Sequence, residues 1–201
     1  VLNLHMAALA AVLEAAGNGQ ADRPTDPVAR VLDHEQRYWH DSAEAAGLGG
    51  TYEQVDLDRA VAAATLCGAE DEAQAVALLG RIPNLPAPDQ AVRLARLVRR
   101  LYPSRSGHWA PLQPDLLGEE LIAQVTDDPV VAGGPAGLLA ALLADATDQQ
   151  VERAWTVLAR AAPRHPHLRA ALAPLLKADP ERLLPAAVTV ATQARDPRPL
   201  V

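Results

Sequence analysis

The chain has 201 residues, is 49% hydrophobic and 21% charged, and carries a formal net charge of −7. A chain of this length buries roughly 70% of its unfolded surface, so it needs no staples, and the acidic balance argues against whole-surface attraction to nucleic acid or anionic membrane. The single cysteine, Cys67, excludes an internal disulfide and suits a reducing, cytoplasmic compartment. Phe is absent and aromatics are 3% of residues, so the core must be built from Ala, Leu and Val. That composition favours an all-α fold.

Leu2, Met6, Leu9 and Leu13 recur at helical spacing and predict a first helix ending near Gly17. The stretch lacks the basic start of a signal peptide and is too short to span a bilayer. It does not begin with Met, which reads as entry into a longer protein. Asp26 is a good N-cap and Pro27 fits a first helical turn, so a second helix is expected from Val28 to about Ala46. Within it His34 and His40 are six apart, the wrong spacing for two imidazoles to share a metal. Val31, Tyr38 and Trp39 are expected inside, with His34, Glu35 and Arg37 at the rim. A third helix is expected over Leu57–Cys67, capped by Asp56 or Asp58 and stopped by Gly68. Cys67 itself reads as a small buried hydrophobe, with no basic residue near it in sequence. A fourth helix, Glu70–Gly80, should turn Ala73, Val76 and Leu79 inward.

After the stiff turn Ile82–Pro88 comes a basic amphipathic helix, Asp89–Tyr102. Leu94, Leu97 or Val98, and Leu101 form its apolar stripe, and Arg93, Arg96 and Arg100 fall on the other face. Gly107–Leu112 then reads as a short β-hairpin anchored by Trp109 and Leu112. Three helices followed by a hairpin is the element order of a winged helix. From Pro114 on, with Asp115 as its cap, the pattern is helix after helix: Asp115–Val125, Gly137–Leu143, Thr147–Ala161, His167–Leu176 and Pro180–Thr192. Thr147 is a second expected N-cap. Repeated helix–turn–helix units predict a degenerate, tetratricopeptide-like α-solenoid. The expected organisation is a helical lid-like pair over 1–50, a winged-helix-like domain over 51–113 and a helical-repeat array over 114–201.

The chain holds no Gly-rich phosphate loop and no signature of a catalytic triad. Glu119-Glu120 and Asp127-Asp128 are helix neighbours pointing about a hundred degrees apart, so neither pair converges as an acid/base couple, and both read as solvated charge. His165 and His167 are too isolated for a metal site. No catalytic, cofactor-binding or metal-ligating residue is expected. The remaining electrostatic feature is the arginine face of Arg93, Arg96 and Arg100. It would suit the major groove in a DNA-binding winged helix, or acids of a neighbouring domain.

The stretches Leu4–Leu9, His34–Trp39, Ala60–Ala69 and Trp109–Glu119 resemble, in order, the region after the nucleotide-binding core of actinobacterial STAND-type ATPases, relatives of NACHT and NB-ARC proteins. The resemblance implies a helical lid, a winged helix and tetratricopeptide-like repeats in a nucleotide-controlled switch. It implies ATP or ADP on an upstream nucleotide-binding domain, and repeats that sense an unknown protein ligand. Trp109, Pro114, Asp115 and Glu119 would then be switch or domain-contact residues. Pro114 stands where relatives carry a nucleotide-contacting His, a departure that argues against a direct nucleotide contact there. Two rival readings from the residues are a DNA-binding winged-helix module using Arg93, Arg96 and Arg100, and a free-standing helical-repeat adaptor.

Overall fold

The computed structural model describes residues 26–85, 88–127 and 134–193. The expected N-terminal helix over Leu2–Leu13 lies outside them, as does Asp128. The fold is all-α. Among the described residues the helices are α1 (Pro27–Ala45), α2 (Gln54–Leu66), α3 (Glu72–Leu79), α4 (Pro88–Leu101), α5 (Asp115–Thr126), α6 (Gly134–Leu143), α7 (Asp148–Ala161), α8 (Pro166–Ala178) and α9 (Pro180–Gln193). No strand is present among them. The hairpin expected over Gly107–Leu112 is reduced to one antiparallel bridge between Pro103 and Trp109. Its backbone groups go elsewhere: His108 N–H donates to the Ala69 carbonyl at 2.7 Å, and the His108 carbonyl accepts from Arg99 at 3.0 Å.

Helix ends follow local chemistry. Asp26 accepts the Val28 N–H at 3.0 Å, and Pro27 occupies the first turn, where its missing N–H costs nothing. α1 closes through Gly47, whose φ of +72° lets Leu48 N–H return to the Ala43 carbonyl. Thr147 and Gln150 form a reciprocal capping box at the start of α7. At α2 neither expected residue is the cap. Glu53 holds that position and Asp56, three residues on, accepts the Glu53 N–H at 3.0 Å. Asp58 lies further in, buried at 8% exposure, where Gln54 and Gln36 donate to its carboxylate.

Two helices are buried nearly all round. Every residue from Leu57 to Leu66 in α2 is buried, as are most of Leu116–Thr126 in α5. Both lack a polar face, as expected for helices enclosed by neighbours. They pack on each other, and at Gly118 a Cβ would stand 2.7 Å from Thr65 Cγ2 and 3.3 Å from the Leu112 carbonyl oxygen. Around this pair, α1 packs on α2 and α5, and α4 on α2 and α3. In the C-terminal half each helix packs on the one after next: α5 on α7, α7 on α9, α6 on α8.

With no Phe, the three tryptophans supply the large side chains. Trp39 on α1, Trp109 on the loop after α4 and Trp155 on α7 are all at most 2% exposed. Trp39 Nε1 donates to the Tyr102 hydroxyl at 2.6 Å, and that hydroxyl donates to Glu35 at 2.8 Å. Tyr38, expected inside, is 53% exposed. The stripe Val28, Val31, Leu32, Trp39, Ala43 defines the buried face; Trp39 falls near its middle, and Tyr38, about a hundred degrees from Trp39, falls at its edge beyond Val31. Ala73 of α3 is likewise exposed; Ala75, Leu78 and Leu79 form that helix's core face. Arg81, just past α3, donates to the carbonyls of Leu142 and Asp145 at the end of α6. No helix among the described residues is long and apolar enough to cross a membrane.

Candidate functional site

The loop after α4 is seated on α2. Trp109 and Leu112, the expected anchors, are each 2% exposed. Leu112 N–H donates to Thr65 Oγ1 at 3.1 Å, and that hydroxyl donates to the Val61 carbonyl one turn earlier. Gly107 passes so close to Ala69 that a Cβ would come within 2.9 Å of its carbonyl oxygen. Any other residue would lift the loop from this seat.

Pro114 stands at the N-cap of α5 without a side-chain cap bond. Asp115 is therefore the first residue of the helix, not its cap. Its carboxylate accepts from Gln113 Nε2 at 3.0 Å and from Arg160 Nη1 at 2.8 Å. One turn on, Glu119 is not solvated charge: it is buried at 4% exposure. Arg160 Nε lies 3.1 Å from one of its oxygens and Arg164 contacts the other. Burial pushes the Glu119 carboxyl up, against the pull of Arg164 and Arg160. The two acids are four apart on α5, and the two arginines are four apart at the end of α7 and just beyond it. This phase match locks α5 to the end of α7.

Arg160 and Arg164 were missed by sequence reasoning, although the matched spacing is visible in the chain. Beside them a cavity of about 460 Å³ is lined by Asp26, Val28, Leu116, Glu120, Arg164 and His165. His165 Nε2 is 3.5 Å from Glu120. Burial, followed by Arg164 and His167, holds His165 below the usual imidazole range.

Arg93, Arg96 and Arg100 are exposed on one face of α4, as expected. They do not act alike. Arg96 pairs with Glu72 of α3 at 2.8 Å, whereas Arg93 and Arg100 have no ion pair among the described residues. Cys67 is 3% exposed, and burial pushes its thiol up to about 12. Arg81 and Arg153, far off in sequence, are its basic neighbours. Among the described residues no group of three or more His, Cys, Asp or Glu could hold a metal ion.

No protein-family model, curated protein or solved structure matches the chain.

Proposed function

We propose that the chain is a non-catalytic regulatory and protein-interaction region of a cytoplasmic, nucleotide-controlled signalling ATPase of the STAND type. The lid-like α1 and the winged-helix-like unit of α2–α4 with its 102–113 loop face an upstream domain holding ATP or ADP. The stacked helices from α5 onward receive a protein ligand. The observation that supports this reading is the joint at Asp115 and Glu119. It ties α5, the first helix of the stack and the one packed on α2, to the end of α7 through Arg160 and Arg164, so a push on the later helices is passed through α5 to the unit beneath. A charged joint suits a contact that must be broken and remade, because its parts are stable in water when separated.

The test is the reading frame upstream, together with a binding assay. A phosphate loop and an acidic Mg²⁺ motif within the preceding few hundred residues are expected. So is binding of that recombinant core to this chain that changes when ADP is replaced by ATP. A frame with neither motif overturns the reading. A DNA-binding reading draws on the exposed Arg93 and Arg100, but the engagement of Arg96 by Glu72 and the net charge of −7 weigh against it. A salt-dependent gel-shift titration with no binding at low salt removes it.

A further inference from the structure

A second cavity, of about 300 Å³, lies between the α2 exit at Cys67–Glu70, the loop 104–111 and the first turns of α7. Its volume is at the lower end of the range for small-molecule sites, about 300–1,000 Å³. Arg153 of α7 reaches it half-buried. No carboxylate or hydrogen-bond acceptor among the described residues takes its guanidinium. Arg96, Arg160 and Arg164, by contrast, are all engaged by acids. Glu70 also lines the cavity, but forms no ion pair with Arg153. The neighbouring Cys67 is held as the neutral thiol, so it supplies no countercharge.

The chain keeps the guanidinium in place by shape. Gly68, at φ +68°, lies under it: a Cβ there would stand 2.4 Å from Arg153 Nη1. The Gly68 carbonyl is fixed by Gln150 Nε2 at 2.9 Å. Trp109 lines the same cavity, and its Nε1–H is buried with no acceptor. Ser104 and Ser106 add hydroxyls to the wall. An unpaired cation and an orphaned donor on residues lining one cavity are costly unless something accepts from them.

We propose that this cavity binds a small ligand through an oxyanion group, a carboxylate or a phosphate, with Arg153 as the charged anchor and Trp109 Nε1–H as a neutral donor. Arg153 can hold two oxygens of such a group side by side. The apolar wall of Cys67 and Pro111 takes the rest of the ligand. The cavity meets the loop that is seated on α2, so occupancy tightens that seat. This site stands independently of any nucleotide-controlled switch.

The experiment is an NMR titration of the ¹⁵N-labelled chain at constant ionic strength with inorganic phosphate, phenyl phosphate and benzoate. The indole resonances are assigned with Trp109→Phe. The expected result is a saturable shift of the Trp109 indole N–H with at least one probe, with Trp39 and Trp155 unmoved. Arg153→Gln should weaken that binding at least tenfold, and Gly68→Ala, which pushes the guanidinium aside, should also weaken it. A response to the two phosphates assigns a phosphate ligand; a response to benzoate alone assigns a carboxylate. Absence of a saturable shift with all probes overturns the proposal, and that reading needs no variant to fold. A shift that Arg153→Gln leaves unchanged overturns it equally.

Discussion

Placing a methyl group at Gly118 tests whether α2 and α5 are as close as the structure has them. In an unobstructed helix interior, Gly→Ala stabilises by about 1 kcal/mol through propensity. Here the new Cβ would meet Thr65 Cγ2 at 2.7 Å and the Leu112 carbonyl oxygen at 3.3 Å. Thr65 cannot simply rotate away, because its hydroxyl holds both Leu112 N–H and the Val61 carbonyl. Overpacking of this kind costs about 1–3 kcal/mol, so Gly118→Ala should be neutral to destabilising by up to about 2 kcal/mol. Thr65→Ser keeps the hydroxyl and removes the obstructing methyl, at about 1 kcal/mol for lost burial. The double variant should then be more stable than the two single effects predict, by about 1 kcal/mol or more. Urea unfolding of the four proteins gives the coupling directly. Additivity within about 0.5 kcal/mol would refute the reasoning.

Other consequences can be measured on the same scale. Asp58 is pushed up to about 6 by burial, more than Gln54, Gln36 and Arg59 pull it down. Its unfolded value is near 3.8, so its contribution is complete below that pH and is lost as pH rises toward and through about 6. Asp58→Asn should therefore gain on the parent as pH rises from 4 to 8, by up to roughly 3 kcal/mol; a gap that does not change with pH contradicts this. Removing both Arg160 and Arg164 as glutamines should destabilise more than Glu119→Gln. The first leaves a buried carboxylate unpaired, and the second leaves two half-exposed arginines that water can take; a difference of about 1–2 kcal/mol is expected in thermal or urea unfolding, and the reverse order contradicts it. Tyr102→Phe should cost about 1–3 kcal/mol, because Trp39 Nε1 loses its acceptor and Glu35 its donor. A cost below about 0.5 kcal/mol would mean the network carries little.

What the chain discloses locally, it discloses well. The caps at Asp26 and Thr147 were legible because each partner lies within three residues. The apolar stripe of α4 and the anchoring of Trp109 and Leu112 follow from periodicity and from the scarcity of large side chains. The choice between Tyr38 and Trp39 was not legible from adjacent aromatics alone. It is made by the Tyr102 hydroxyl, which accepts from the Trp39 indole and sits more than sixty residues away. Glu119 looked like surface charge because its two arginines are more than forty residues away. Arg153 had no visible meaning, because the glycine that makes room for it is on another helix's exit. Burial of a charge is a property of the assembled layers, and the linear chain carries only its halves.

The Arg81 contact with the end of α6 bears on how the chain can come apart. The last carbonyls of a helix need a donor, and α6 takes one from a residue some sixty positions earlier. Gln150 returns the favour at the exit of α2. Each half thus supplies a donor to a carbonyl at, or just past, a helix end of the other. A cut near residue 113 would strand donors on one piece and acceptors on its counterpart, so neither piece should melt as a cooperative unit. The intact chain should lose its structure in one step, with a denaturant sensitivity set by its full buried area.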